Sequence, residues 1–424
     1  MEKLSSRIQS FGGPEEGLSI QGASHIKHNK VCQDDGGHCL CDDFAVAVVC
    51  DGHGGDAYIR SDCGSKFGVR ATLDAVQVFM NSKQEFLSAL SVSDNKTKFA
   101  SKALDQLIKH IIHLWNNSVA DDLQHHPFTA DELAGLSEKY KTRYAGNDEN
   151  GKYTAYGTTL MAVVRTSEFW FGIRIGDGKC VAVSKDGTIN DPIPWDEKCF
   201  LNRTTSLCDE KAFDNFRHCF STENFPVAIY VATDGVDDSF GSDERLFAFY
   251  NRLTETFAIA GFEGGKQELK DYLPKLTAQG SGDDISISGI VDMDEIKMLF
   301  PEKTNPEQQE EVVEQEEVVE PDEQDEQENV VVAEETKEPD EPEKTEETKV
   351  PEETKVPDET EETDEPEESD KPGKTDESDK PEESEKADEP KESEKPEEPD
   401  NNENSNQISH KWNQIRKTFS KIIS

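Results

Sequence analysis

The chain has 424 residues, with 91 acidic against 45 basic side chains and a formal charge of −46. Residues 301–407 hold 46 acids and 11 bases, and the last seventeen residues carry +4, which leaves about −15 for the first 300. No basic face exists to neutralise a phosphate backbone, so nucleic-acid binding is not expected, and no apolar run approaches the length of a membrane span.

Met1-Glu2-Lys3-Leu4-Ser5-Ser6-Arg7 has no apolar stretch behind it, so no signal peptide is expected. Nine cysteines without framework spacing fit a reducing compartment, and a cytoplasmic location is the expectation. His38, Cys39 and Cys41 lack a second ligand pair at finger spacing and read as ordinary side chains.

The first 30 residues are polar and glycine-rich, followed by Asn29-Lys30-Val31-Cys32-Gln33-Asp34-Asp35. Phe44 to Cys50 is a run of seven apolar residues, which predicts a strand buried on both faces. It ends in Asp51-Gly52-His53-Gly54-Gly55, an acid and a base projected from a rigid edge into a flexible turn.

The stretch from Asp56 to about Met80 repeats apolar residues at helical spacing through Phe67, Ala71, Ala75 and Val78. Phe86 to Val119 predicts one or two helices, with a stripe of Leu104, Leu107, Ile108, Ile111, Ile112 and Trp115. Strands are expected at 155–164, 168–175 and 179–184, with Gly176-Asp177-Gly178 and Lys185-Asp186-Gly187 as turns of a β-meander.

Pro226–Ala232 reads as a buried strand ending in Thr233-Asp234-Gly235-Val236-Asp237-Asp238. Helices follow at roughly 242–258 and 265–277, then Gly280-Ser281-Gly282-Asp283-Asp284 and a last strand, 285–291. Strand runs interleaved with helical hairpins argue for an α+β fold, antiparallel sheets covered by helices.

Carboxylates therefore mark one strand edge after another: Asp51, Asp177, Asp234 with Asp238, and Asp283 with Asp284, with Gln33 and Asp34 as a further contributor. Each Asp-Gly alone is compatible with a solvated turn. Converging, such oxygen-only groups suit Mg²⁺ or Mn²⁺, because without a cation they repel one another.

In this order, Asp-Gly-His-Gly-Gly, Gly-Thr-Thr, Gly-Asp-Gly, Thr-Asp-Gly-Val-Asp-Asp and Gly-Asp-Asp-Ile-Ser resemble the PP2C-like metal-dependent protein phosphatases, over residues 15–292. The closer likeness is to the branch with Gln-Asp in its first motif and a Pro-Trp-Asp segment, here Pro194-Trp195-Asp196. The resemblance implies a four-layer α-β-β-α sandwich, two antiparallel sheets flanked by helices.

It also implies hydrolysis of phosphoserine or phosphothreonine in proteins by a dimetal-activated hydroxide, with His53 as general acid. Asp51 would bridge two Mg²⁺ or Mn²⁺ ions, with the Gly52 carbonyl on one. Asp234 and Asp283 would complete the other, and Asp34 or Gln33 would hold a bound water. Asp177 and Asp238 would recruit a third, weaker ion, while Gly157, Thr158 and Thr159 would serve packing. A non-catalytic phosphoprotein-binding or scaffold module on the same fold is the alternative.

Two features depart from the family pattern. No arginine lies between Arg7 and Arg60, so Lys27 or Lys30 is the candidate phosphate-binding cation, without arginine's bidentate geometry. Gln33 stands where many relatives have glutamate.

The domain therefore spans 1–300. Residues 301–407 are too charged and apolar-poor to fold and read as a disordered acidic linker. At 408–424, Ile408, Trp412, Ile415, Phe419 and Ile422 alternate with Lys411, Arg416, Lys417 and Lys421, which predicts a short basic amphipathic helix able to dock on a protein partner.

Overall fold

In a computed structural model, residues 3–146, 149–200 and 203–301 are described. The expected linker at 301–407, apart from Pro301, and the expected helix at 408–424 lie outside the described residues.

The strands are β1 (Ile8–Phe11), β2 (Ser19–Ile20), β3 (Asp35–Leu40), β4 (Phe44–Cys50), β5 (Leu160–Thr166), β6 (Trp170–Ile175), β7 (Lys179–Val183), β8 (Ile189–Asn190), β9 (Arg217–Ser221), β10 (Ala228–Ala232) and β11 (Ile285–Asp292). One sheet has the order β1-β11-β10-β7-β8, with β2 also paired to β11, and the other β3-β4-β5-β6-β9. Every pairing is antiparallel.

The apolar run of β4 is buried at all seven positions because both its faces are covered. Side chains alternate across a strand, so Ala45, Ala47 and Val49 enter the core between the sheets, with Met161, Val163, Ile229, Val231 and Ile290. Cys50 points the other way, onto the helix Ser61–Asn81, where a Cβ on Gly68 would lie 2.7 Å from its Sγ. The helix Lys96–His125 packs outside that one, and Trp115 Nε1 donates to the Gly64 carbonyl at 2.9 Å.

On the far side, Tyr230 and Ala232 of β10 pack against Tyr250, Leu253 and Phe257 of the helical segment Asp243–Gln279. Gly261, at φ +75°, breaks that segment into the two helices expected from the sequence. The result is the expected four layers, helix, sheet, sheet and helix.

The meander needs correcting. β5 and β6 form a hairpin, but β7 pairs with β10 and β8 in the opposite sheet. Gly176-Asp177-Gly178 is thus the link by which the chain changes sheets. Lys185-Asp186-Gly187 does turn a hairpin, between β7 and β8. The helix expected from Asp56 starts at Ser61, and the strand expected from Ala155 starts at Leu160 after a 3₁₀ turn.

Candidate metal centre and active site

The strand registers bring the acids to one end of the sandwich. Asp35 pairs with Cys50, so Asp34 and Asp51 stand opposite one another just beyond β3 and β4. Ala232 pairs with Lys179 and with Ile287, which places Asp234 beside Asp177 on one side and near the start of β11 on the other. Thr233 Oγ1 ties the sheets together at this end by donating to Asp34 Oδ2 at 2.7 Å.

Backbone contacts hold Asp51. Its amide donates to Thr159 Oγ1 (3.1 Å), and its carbonyl accepts from Thr159 N and Thr158 Oγ1, both at 2.8 Å. The Gly157 carbonyl accepts from His53 N at 3.1 Å. A Cβ at Gly157 would come within 2.7 Å of both Tyr58 and His53, so glycine is required for that approach. The His53 ring lies edge-on to Tyr58, with centroids 4.7 Å apart.

The electrostatics are those of a crowded anionic pocket. Burial, followed by repulsion from Asp234, Asp34 and Asp177, pushes the Asp51 carboxyl well above the usual carboxylate range. Burial and the neighbouring acids also push up Asp34 and Asp234, despite the Thr233 hydrogen bond on Asp34. Asp177 is raised chiefly by burial, and Asp238 by burial and then by Asp177 and Asp283. Burial alone lowers the His53 imidazole to about 4, so the ring is neutral at pH 7.

Among the described residues, no lysine or arginine pairs with Asp34, Asp51, Asp177, Asp234 or Asp238. Gln33 donates through Nε2 to the His53 carbonyl (2.9 Å) and to Ser61 Oγ, while its buried Oε1 has no partner. Several carboxylates without a direct ion pair, beside the unfilled Gln33 Oε1, form a donor set that fits hard divalent cations.

Not every candidate joins this cluster. Lys27 and Lys30 are exposed on the segment after Gly22, and among the described residues neither contacts a carboxylate. Asp283 is half exposed and lies 3.5 Å from His25 Nε2, but its charge acts on Asp34, Asp234 and Asp238, so it belongs to the edge of the cluster. Arg60, the first arginine after Arg7, is engaged elsewhere, with Glu132 at 2.7 Å, Asp122 at 3.2 Å and the Tyr156 hydroxyl at 2.7 Å.

The sequence reading missed the part played by Asp237. Burial and then Asp234 and Asp238 push its carboxyl up to about 8, and its Oδ1 is buried without a partner. The Asp237-Asp238 pair was visible, but spacing alone does not say which member turns inward. Thr233, the tie between the sheets, gave no signal beyond preceding Asp-Gly.

The fold and this end of it define a two-sheet α+β domain with a carboxylate-lined pocket. The family model described as protein phosphatase 2C matches residues 21–274, more than half of the chain, and the protein belongs to that family. The match ends before Asp283 and Asp284.

No curated relative matches. Among solved structures, a bacterial serine phosphatase is 16% identical, covering 67% of this chain and 97% of its own, with a TM-score of 0.40. Stp1 of Staphylococcus aureus is 15% identical, covering 69% and 97%, with a TM-score of 0.40. The catalytic domain of the serine/threonine phosphatase PstP, in complex with two manganese ions, is 13% identical, covering 67% and 98%, with a TM-score of 0.37.

Proposed function

We propose that this protein is a Mg²⁺- or Mn²⁺-dependent phosphatase acting on phosphoserine and phosphothreonine in protein substrates. One observation carries the reading: Asp34, Asp51, Asp177 and Asp234, from both sheets, share one region in which, among the described residues, no lysine or arginine forms an ion pair with any of them. Asp51, the Gly52 carbonyl, Asp234 and Asp283 would hold two cations, with Asp34 or Gln33 on a bound water and Asp177 and Asp238 serving a third ion. When bound, such ions supply a nucleophile from water near neutral pH and offset charge on the phosphoryl oxygens.

The protein's own residues supply the rest. The Thr158 and Thr159 contacts fix Asp51, and the tie from Thr233 to Asp34 holds the two sheets' carboxylates in one frame. His53 is the general acid that delivers a proton to the departing serine or threonine oxygen. A substrate phosphate dianion beside the neutral imidazole raises its proton affinity, the direction the acid role requires. Lys27 and Lys30 are the candidate cations for steering phosphate from the rim. A cytoplasmic location, and docking of the 408–424 segment on a protein partner, belong to the same reading.

The test is hydrolysis of para-nitrophenyl phosphate and of a phosphothreonine peptide with Mn²⁺, Mg²⁺ or EDTA, for the wild type and Asp51→Asn. Metal-dependent turnover that disappears in the variant supports the reading. A folded wild type without turnover under any metal refutes it and points to a phosphoprotein-binding module.

A further inference from the structure

Asp284 stands beside Asp283 in the sequence but makes a different set of contacts. Its side chain is buried, and Oδ1 accepts from Gly22 N and Oδ2 from Gln33 N, both at 2.6 Å. His25 Nδ1 lies 2.9 Å from the same Oδ1, and its Nε2 lies 3.5 Å from Asp283 Oδ1. The Asp284 amide donates to Asp283 Oδ1 at 2.8 Å, and Asp283 Oδ2 takes no hydrogen bond from any described residue.

Further contacts fasten the same two segments. Ser24 N donates to the Gly282 carbonyl at 2.8 Å. Thr277 Oγ1 accepts from Ala23 N at 3.0 Å and donates to the Asp283 carbonyl at 2.8 Å. Gly22 has no room for a side chain, since a Cβ there would lie 2.3 Å from the Asp283 carbonyl carbon.

Both oxygens of Asp284 are thus committed to holding the 22–33 segment. The second clamps the amide of Gln33, the residue directly before Asp34. The carboxylate of Asp284 therefore holds the amide next to Asp34 on the first sheet, while the backbone N–H of the same residue, with His25, bears on Asp283 on the second.

We propose that Asp284 and His25 are a positioning pair, not cation ligands. They set Asp34 and Asp283 against Asp51 and Asp234 and leave Asp283 Oδ2 aimed by a fixed Oδ1. The inference rests on the cation reading above and assigns a purpose to two residues that reading leaves out. Partners that orient metal ligands from behind typically affect metal affinity 10–100-fold.

The test is Mn²⁺ binding to the full chain by isothermal titration and by the Mn²⁺ electron paramagnetic resonance line shape, with folding followed by circular dichroism. Asp284→Ala, which leaves two backbone N–H groups without an acceptor, raises the Mn²⁺ dissociation constant by about 10–100-fold. His25→Ala weakens binding in the same direction. Asp284→Asn, whose one carbonyl oxygen restores one of the two N–H contacts, recovers part of the loss.

Wild-type affinity and line shape in folded Asp284→Ala and His25→Ala overturn the proposal. If Asp284→Ala does not fold, His25→Ala and Asp284→Asn decide it. A wild type that binds no Mn²⁺ overturns the cation reading itself, and that result appears before any variant is made.

Discussion

Replacing Asp51 with asparagine should stabilise the metal-free protein and cut the further stabilisation that metal brings. In the metal-free chain, the Asp51 carboxyl is buried and repelled by Asp234, Asp34 and Asp177, so it opposes folding. A like-charge pair at about 4 Å costs about 4 kcal/mol at an effective dielectric of 20, and sharing a proton with a neighbour reduces that figure. The amide side chain removes the repulsion while the backbone bonds of residue 51 to Thr158 and Thr159 survive. A gain of about 1–4 kcal/mol follows, which for a domain of this size is a rise of about 2–6 °C in melting temperature. With Mn²⁺ at 100 times its dissociation constant, the wild type gains about 2.7 kcal/mol by mass action and the variant, without the carboxylate proposed to hold both ions, gains much less. Differential scanning fluorimetry in EDTA and in a Mn²⁺ series reads both arms. A variant that melts below the wild type in EDTA refutes the argument, because it would show Asp51 engaged in stabilising contacts.

The pH dependence of the metal-free protein carries a related signature. Asp35 is raised to about 6 and Asp237 to about 8, from 3.8, so their contribution is fully present below pH 3.8 and is lost as pH rises through 6 and 8. Urea melts in EDTA should weaken from pH 5 to pH 8, and saturating Mn²⁺ should flatten that slope; an EDTA slope of the opposite sign counts against it. Glu132 behaves the other way: its hydrogen bond to Arg60 lowers it to about 2 from 4.5, so its contribution is present above pH 4.5 and lost toward pH 2. Glu132→Gln should remove that acid-side loss. Arg60→Leu, which leaves Asp122 and Glu132 without their cation, should lower urea stability by about 2–3 kcal/mol, with partial exposure of both acids keeping it to the low end. His53→Gln should cost 100-fold or more in kcat on a phosphothreonine peptide and much less on para-nitrophenyl phosphate, whose leaving group needs no proton. Equal losses on the two substrates would remove His53 from the acid role.

Much of this architecture was legible because the informative residues sit where local pattern and burial agree. The seven-residue apolar run ending at Asp51 announced a strand covered on both faces, and β4 is one. Two helices at roughly 242–258 and 265–277 were expected in the last long helical region, and the break falls between them at Gly261. Short strands were harder. β1, β3 and β9 include Gln9, His38, Arg217 and His218, and they are held by pairing with distant strands, which local periodicity does not record.

Gly176-Asp177-Gly178 was misread for a related reason. A glycine-rich link has the same composition whether it closes a hairpin or passes between sheets, and only the partner of β7 distinguishes the two. At the site, strand-end aspartates disclosed themselves as acids before glycine. The split of labour between Asp283 and Asp284 did not, since it depends on backbone amides 251 and 262 residues away in the chain.

The pairing of β1 with β11 has a consequence for synthesis. Ile8 lies opposite Asp292, so the first strand to leave the ribosome waits for the last before its edge is covered. The sheet β3-β4-β5-β6-β9 needs nothing beyond Ser221 and is free to form earlier. Such long-range closure slows folding. During translation the nascent chain therefore carries Asp34 and Asp51 before Thr233 and Asp284, which tie down Asp34 and its neighbour Gln33, have been made. On the proposed cation reading, capture of the ions would be a late event that reports completion of the domain.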